Sequence, residues 1–371
     1  MKKFATIAGS IALLIGAVIP AMAAGNNCSN GTTGPLSHDY CYITNTSDVN
    51  VSNTNSLNLT NSVTAVSNTG HNSASYNTLG GNITTGNATL NATVNNVGNI
   101  NTTTVTGGPS AANNSGSNNI TGPSSDNRVT ITNSQRVNVV NSNQADVRNT
   151  VDATADSGYN NGNYNTGPAN VQTGSTVLGV NLQNHLNDSA TGISAGAGGA
   201  GGNSVANDTT GPFSTDYVDV VNSANATVNN PNYLSLGNSV AVVSRSGNNG
   251  ASYNTLGGNI GTGGSSAGVG MNNEGNISTT TIQMAMGGFA NDGSNGVTGP
   301  LSDNRTTLLN SFGTSVSNPN NANVTNSDTD VADTGSNASN YNTGGGAVWA
   351  GLSDLWKTIS NHLNDSLTVI Q

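Results

Sequence analysis

Residues 129–150 read VTITNSQRVNVVNSNQADVRNT, and their spacing decides the fold. Val129 and Ile131, Val137 and Val139, and Ala145 and Val147 are apolar pairs that recur every eight residues, and Asn133, Asn141 and Asn149 follow them at the same interval. Side chains two apart share one face of a strand. The octad apolar-x-apolar-x-Asn-x-x-x therefore reads as a short strand, with the intervening Thr, Asn and Ser outward, ending in a turn. Asn suits such a corner because it tolerates left-handed backbone angles and hydrogen-bonds nearby amides.

The same rhythm recurs around Asn45, Asn53 and Asn61, around Asn222, Asn230 and Asn238, and around Asn310, Asn318 and Asn326. Thr-Gly-Pro places its proline at Pro35, Pro123, Pro212 and Pro300, and Tyr-Asn-Thr its tyrosine at Tyr76, Tyr164, Tyr253 and Tyr341; both sets are spaced 88, 89 and 88 residues apart. Two unrelated landmarks in one register define a tandem array. The copies alternate. The first and third share ASYNTLGGNI (74–83 and 251–260), the second and fourth NHLNDS (184–189 and 361–366), so the order is A-B-A-B.

A β-solenoid fits these constraints, with inward Val, Ile and Leu columns supplying most of the stability and Asn columns the register. Burying one valine contributes about 1.5–3 kcal/mol, against about 0.5–1.5 kcal/mol net for one amide hydrogen bond. The competing architecture is a string of small antiparallel sandwich-like units in which octads are successive hairpin strands. The expected segmentation is repeat 1 (24–105, type A), a linker (106–120), repeat 2 (121–190, type B), a linker (191–209), repeat 3 (210–284, type A), a linker (285–297) and repeat 4 (298–371, type B). In the last segment Val348, Leu352, Leu355 or Trp356, Ile359 and Leu363 also fit one face of an amphipathic helix, read as a C-terminal cap.

Composition agrees with a repetitive fold. Of 371 residues, 66 are Asn and 48 Gly, and only 7% are charged. Residues 1–23 have a signal-peptide pattern: Lys2 and Lys3, an apolar centre from Ile7 to Ile19, and the A-x-A site Ala21-Met22-Ala23. Loss of Lys2 and Lys3 takes the formal charge from −10 to −12. Nucleic acid and anionic membranes, which need clustered basic residues, are poor partners. No span of the mature chain is long and apolar enough to cross a bilayer as a helix. An exported protein permits a disulfide, and Cys28 and Cys41 are expected to form it.

No catalytic constellation stands out, and an enzyme is not expected. His38, His71, His185 and His362 show no metal-ligand spacing, and Glu274 is the sole glutamate. No cofactor is expected; the candidate ligands for calcium are Asp126 and Asp303, which recur three residues past the proline, and Asp328, Asp330 and Asp333, which cluster in the fourth copy. The stretch Gly70-x-Asn72-x-Ala74-x-x-Asn77, repeated from Gly247 to Asn254, is similar to curlin repeats, the units of secreted bacterial amyloid fibres. The likeness spans about eight residues per copy without the glutamine positions, and it implies self-association. The sequence thus leads to an expectation of an exported, extracellular or surface-bound structural or adhesive protein. Its repeats would form a stiff rod, able to build fibres or contact surface and matrix components. A carbohydrate- or ice-binding face is the alternative.

Overall fold

A computed structural model describes residues 2–18, 25–106, 114–195, 202–284 and 291–371. Beyond an N-terminal strand β1 (Lys2–Val18), the chain makes four turns of one coil, here called rungs. Rung 1 holds β2 (Asn27–Thr32), β3 (His38–Asn68), β4 (Gly81–Thr84) and β5 (Ala88–Thr106). Rung 2 holds β6 (Ser115–Ile120), β7 (Asp126–Asp156), β8 (Ala169–Gln172), β9 (Thr176–Leu186) and β10 (Ser189–Ala195). Rung 3 holds β11 (Asn203–Thr210), β12 (Thr215–Asn229), β13 (Asn232–Arg245), β14 (Gly258–Gly261), β15 (Ser265–Gly275) and β16 (Ser278–Met284). Rung 4 holds β17 (Asn291–Thr298), β18 (Asp303–Ser317), β19 (Asn320–Asp333), β20 (Gly346–Trp349), β21 (Ser353–Leu363) and β22 (Ser366–Ile370).

Pairing between rungs is parallel and in register, so Asn45 lies beside Asn133, Asn133 beside Asn222 and Asn222 beside Asn310. This is an all-β parallel solenoid, and parallel pairing throughout its sheets excludes the hairpin sandwiches. The octads do not end in the turns expected of them. One whole repeat of 88 or 89 residues makes one rung, and the octads run along it without turning: β3 alone is 31 residues long. Inward positions alternate along it from Cys41 through Ile43, Asn45, Val51 and Asn53 to Asn61 and Val63.

The octad therefore sets a pattern along one wall of the coil, in which apolar clusters and asparagines take turns. Cys41 and Ile43 belong to one cluster, Val51 to the next, Leu57 and Leu59 pack on a third, and Val63 belongs to a fourth. The opposite wall, built from β5 and its equivalents, supplies Leu90, Ala92, Val94 and Val105 to these clusters. At one end of the coil, a small arm packs Ile83, Val171 and Ile260 around Ala251.

Four expected segments fold differently. The C-terminal segment is strand β21, not a helix, because its backbone pairs with β15 from Ser353↔Ser265 to Leu363↔Gly275. Leu355, Lys357 and Ile359 thereby continue the columns of Ala267, Val269 and Met271. The linker spans 106–120, 191–209 and 285–297 contain strand as well: β6, most of β10 and β11, and nearly all of β17 fall within them. Their glycine content follows from packing in at least one place. A Cβ on Gly116 would sit 2.5 Å from Val129 Cγ1. Residues 107–113, 196–201 and 285–290 of these linkers lie outside the described residues, as does the Ala21-Met22-Ala23 site. Within the expected signal segment, β1 runs parallel beside β5, from Lys2↔Thr89 to Val18↔Thr106.

Proportions also differ from a rod. Four rungs at the usual strand spacing stack to only about 20 Å, whereas a 31-residue strand extends up to about 100 Å. A single chain is a broad, thin slab.

Candidate functional site

The most extensive constellation is internal. The octad asparagines share the parity of the apolar pairs, so a strand without turns sends them inward, not to corners. There they bond rung to rung. Asn45 Nδ2 donates to Asn133 Oδ1 at 2.9 Å, Asn133 to Asn222 at 2.8 Å and Asn222 to Asn310 at 2.8 Å. Asn53, Asn141, Asn230 and Asn318 make the second ladder at 2.6, 2.9 and 2.9 Å. Asn61, Asn149, Asn238 and Asn326 make the third at 2.7, 2.8 and 2.7 Å.

The opposite wall answers each ladder. Asn61 donates to Asn96 Oδ1 at 2.8 Å, and Asn96, Asn184, Asn273 and Asn361 form their own column with three steps of 2.7 Å. Asn53 reaches Thr103 Oγ1 at 2.9 Å, and Asn45 lies 3.3 Å from Asn114 Oδ1. These partner columns were legible as further Asn and Thr recurrences at 88 or 89 residues, but only the closed coil shows which wall they face. A buried polar atom left unpaired costs about 1–3 kcal/mol. The two-walled network pairs most of these amides and makes any slip of a rung costly.

The left-handed corners expected of the octad asparagines fall to other residues. Tyr76, Tyr164, Tyr253 and Tyr341 have φ of 64°, 60°, 58° and 55°, and the residues after the four prolines, Leu36, Ser124, Phe213 and Leu301, have φ near 60°. Asn99, Asn187, Asn276 and Asn364 turn a third corner with positive φ and form their own amide ladder at 3.0, 3.1 and 2.9 Å. The four tyrosine rings stack in parallel with centroids 5.0, 4.8 and 4.8 Å apart. They form a partly exposed aromatic column along the edge of the slab.

Charged groups fall into separate sets. Asp39 and Asp216 point inward and accept from neighbouring groups, Asp216 from Asn127 Nδ2 at 2.6 Å and Thr210 Oγ1 at 2.8 Å. Burial raises the Asp216 pKa, and those two donors offset part of the rise. Asp126 and Asp303 instead accept from outward tyrosines, Tyr40 at 2.6 Å and Tyr217 at 3.2 Å. On the opposite wall Glu274 stands between two histidines, with His185 Nδ1 at 2.9 Å and His362 Nδ1 at 3.7 Å. Burial disfavours the His185 imidazolium, but Glu274 and Asp188 outweigh it and raise the pKa.

Rung 4 carries the least expected set. Asp328 and Asp330 occupy inward positions that are Val240 and Val242 in rung 3, and Lys357 occupies that of Val269. Lys357 Nζ lies 2.8 Å from Asp328 Oδ2 and 3.7 Å from Asp330 Oδ2, with the two carboxylate side chains only 3% and 8% exposed. Burial, then Asp328, push the Asp330 pKa up to about 6 against the opposing pull of Lys357.

The calcium candidates therefore do not converge. Asp126 and Asp303 are two rungs apart, Lys357 occupies the charge position beside Asp328 and Asp330, and Asp333 accepts from Gly335 N at 2.8 Å. Among the described residues, no three His, Cys, Asp or Glu side chains are grouped to hold a metal ion. Cys28 and Cys41 are bonded, with Cα atoms 5.7 Å apart, and tie the two walls of rung 1 where rungs 2 and 3 place Val129 and Val218 in the Cys41 column. No helix among the described residues is long and apolar enough to cross a membrane. Comparison with protein-family models, curated proteins and solved structures found no match.

Proposed function

We propose that this is an exported structural or adhesive repeat protein of a bacterial cell surface or extracellular matrix. One observation carries the reading: four rungs in register repeat each side-chain position at the strand spacing, so the copied feature is a surface and a stacking unit. The internal ladders support it, since they fix each rung to its neighbours and hold the outward rows still. Thr46, Ser134, Ser223 and Ser311 make one outward hydroxyl row, and the tyrosine column makes an aromatic one. Repeated weak contacts of this kind gain strength through multivalency.

The test is binding of the exported chain to intact cells and isolated matrix of its host. Retention that is competed by excess unlabelled chain is expected. A chain that bound neither and conferred no cohesion on the matrix would sink the reading.

Carbohydrate or ice binding is the second reading, supported by parallel, in-register sheets. Its rows are uneven, however: Thr44 and Thr132 are followed in the same row by Val221 and Leu309. A glycan array and an ice-growth assay, if both negative, would remove it.

A further inference from the structure

We infer that, in a chain without β1, the open face of rung 4 docks the rung 1 face of a second copy in register, and that Asp328, Asp330 and Lys357 make this junction favour acidic conditions. The inference deepens the structural reading above by naming the partner, the two surfaces and their control.

Continuity with an existing interface is the first argument. Rung 4 is type B and rung 1 type A, so a head-to-tail stack repeats the rung 2 to rung 3 junction already inside the chain. There Asn133, Asn141, Asn149 and Asn184 donate to Asn222, Asn230, Asn238 and Asn273, and Tyr164 stacks on Tyr253 at 4.8 Å. In the stack, Asn310, Asn318, Asn326 and Asn361 would meet Asn45, Asn53, Asn61 and Asn96 of the second copy, and Tyr341 would meet Tyr76.

Polarity is the second argument. A column of amide–amide bonds has a donor end and an acceptor end. All four columns run the same way, so rung 4 presents the amide end that rung 1 accepts. Head-to-head stacking would oppose like ends.

Third, rung 4 leaves apolar surface uncovered. Leu308 continues the fully buried Val220 column and Ile359 that of Met271, yet they are 44% and 42% exposed. An incoming rung 1 would cover them with Ile43 and Val94.

The charged trio is where the new junction departs from the internal one. The incoming rung would lay Val63, Ala65 and Ala92 over Asp328, Asp330 and Lys357. Two carboxylates and one ammonium leave one uncompensated negative charge, and inward charge at a sheet edge opposes edge-to-edge pairing. The charged groups facing Asp330 are Asp328 on its own strand and Lys357 on β21; β13 brings Val240 and Val242, and the incoming rung brings only apolar side chains. Uptake of one proton leaves a neutral set that an apolar rung can cover. Acid also reduces the net negative charge by which copies repel.

The chain from Ala24 onward contains all four rungs and frees the β5 edge that β1 covers, where β21 and β22 of the incoming copy would lie. Electron microscopy and light scattering of this chain should show in-register stacks at about pH 5, growing at least about tenfold more slowly at about pH 7.5. The triple variant Asp328→Val, Asp330→Ala, Lys357→Val restores residue types that other rungs carry, and it should stack at both pH values. Val63→Asp, placing a further charge opposite the trio, should slow stacking most at about pH 7.5, with circular dichroism of the monomer checking that its strands are kept. Equal growth of the unaltered chain at the two pH values, a triple variant no faster at the higher pH, or undiminished stacking by Val63→Asp would overturn the inference. So would the absence of stacks throughout. Monomers that bind cells without stacking would sink only the inference; stacks without affinity for cells or matrix would sink only the adhesive reading.

Discussion

Asn141 and Asn230 stand 89 residues apart in the chain and one rung apart in space, with Nδ2 of the first donating to Oδ1 of the second at 2.9 Å. Asn141 also accepts from Asn53 at 2.6 Å and Thr103 at 2.8 Å, and donates to Thr191 at 2.8 Å. Asn141→Ala strips these partners at a fully buried position. A loss of at least about 1–3 kcal/mol is expected, read from urea unfolding midpoints. Asn318→Ala, in the same column on the open rung where water reaches its neighbours, should cost less than about 1 kcal/mol. Equal losses would mean that the ladder contributes no more inside than at its end.

The tyrosine corner sets backbone strain against ring stacking. Tyr164 holds φ at 60° between two rings at 5.0 and 4.8 Å. Tyr164→Gly relieves about 1–2 kcal/mol of left-handed strain but forfeits about 0.5–1.5 kcal/mol per stacked pair, so it should be close to neutral. Tyr164→Val loses the stacking and keeps the strain. Its melting temperature should fall well below that of the glycine variant.

Gly158 lies in a column with Gly70 and Gly247 where backbones approach closely. A Cβ on Gly158 would meet Gly247 O at 1.9 Å, and backbone cannot step aside as a side chain can. Gly158→Ala should destabilise by about 1–3 kcal/mol or more. Gly192→Ala, with nothing within 4 Å of the added carbon, should leave the unfolding midpoint nearly unchanged.

Stability should rise as the solution is acidified from about pH 8 to pH 5. His185 has a raised pKa in the folded chain, so its contribution is complete below the ordinary histidine value and is lost as pH climbs through the raised one. Asp330, pushed up to about 6, binds its proton more readily folded than unfolded, and stability therefore grows as pH falls from above 6 toward 3.8. Melting curves across this range should show Glu274→Gln flattening the upper part of the profile and Asp330→Ala the lower part. An unaltered profile in both variants would reject these assignments.

The disulfide at the first rung should be replaceable by packing. Cys41 aligns with Val129, so Cys41→Val keeps the apolar column while removing a cross-link worth up to about 3 kcal/mol. Cys41→Ser loses both. The serine variant should unfold at lower urea than the valine variant, and reduction of the unaltered chain should match the valine variant more closely.

The strand content, the tandem order and the inward valine columns followed from the sequence because period-two alternation and the 88-residue recurrence are one-dimensional signals. Pairing of Asn45 with Asn133 needed only the recurrence. The parity of Asn133 with Val129 and Ile131 also carried its inward direction, which the turn propensity of Asn obscured: a local preference gave way to a wall of backbone pairing that spans 31 residues. The strand at Ser353–Leu363 displaced a plausible helix for the same reason, since β15 offers an edge that no isolated segment has.

By itself the sequence determined what repeats, at what interval, and which side chains can be buried. Only the tertiary structure decided where the chain turns and which walls face each other. It alone places Asp328 and Asp330 beside Lys357 at the open end. Those outcomes depend on contacts between residues far apart in the chain, and a long strand bends or continues according to the neighbour it pairs with, not its own composition.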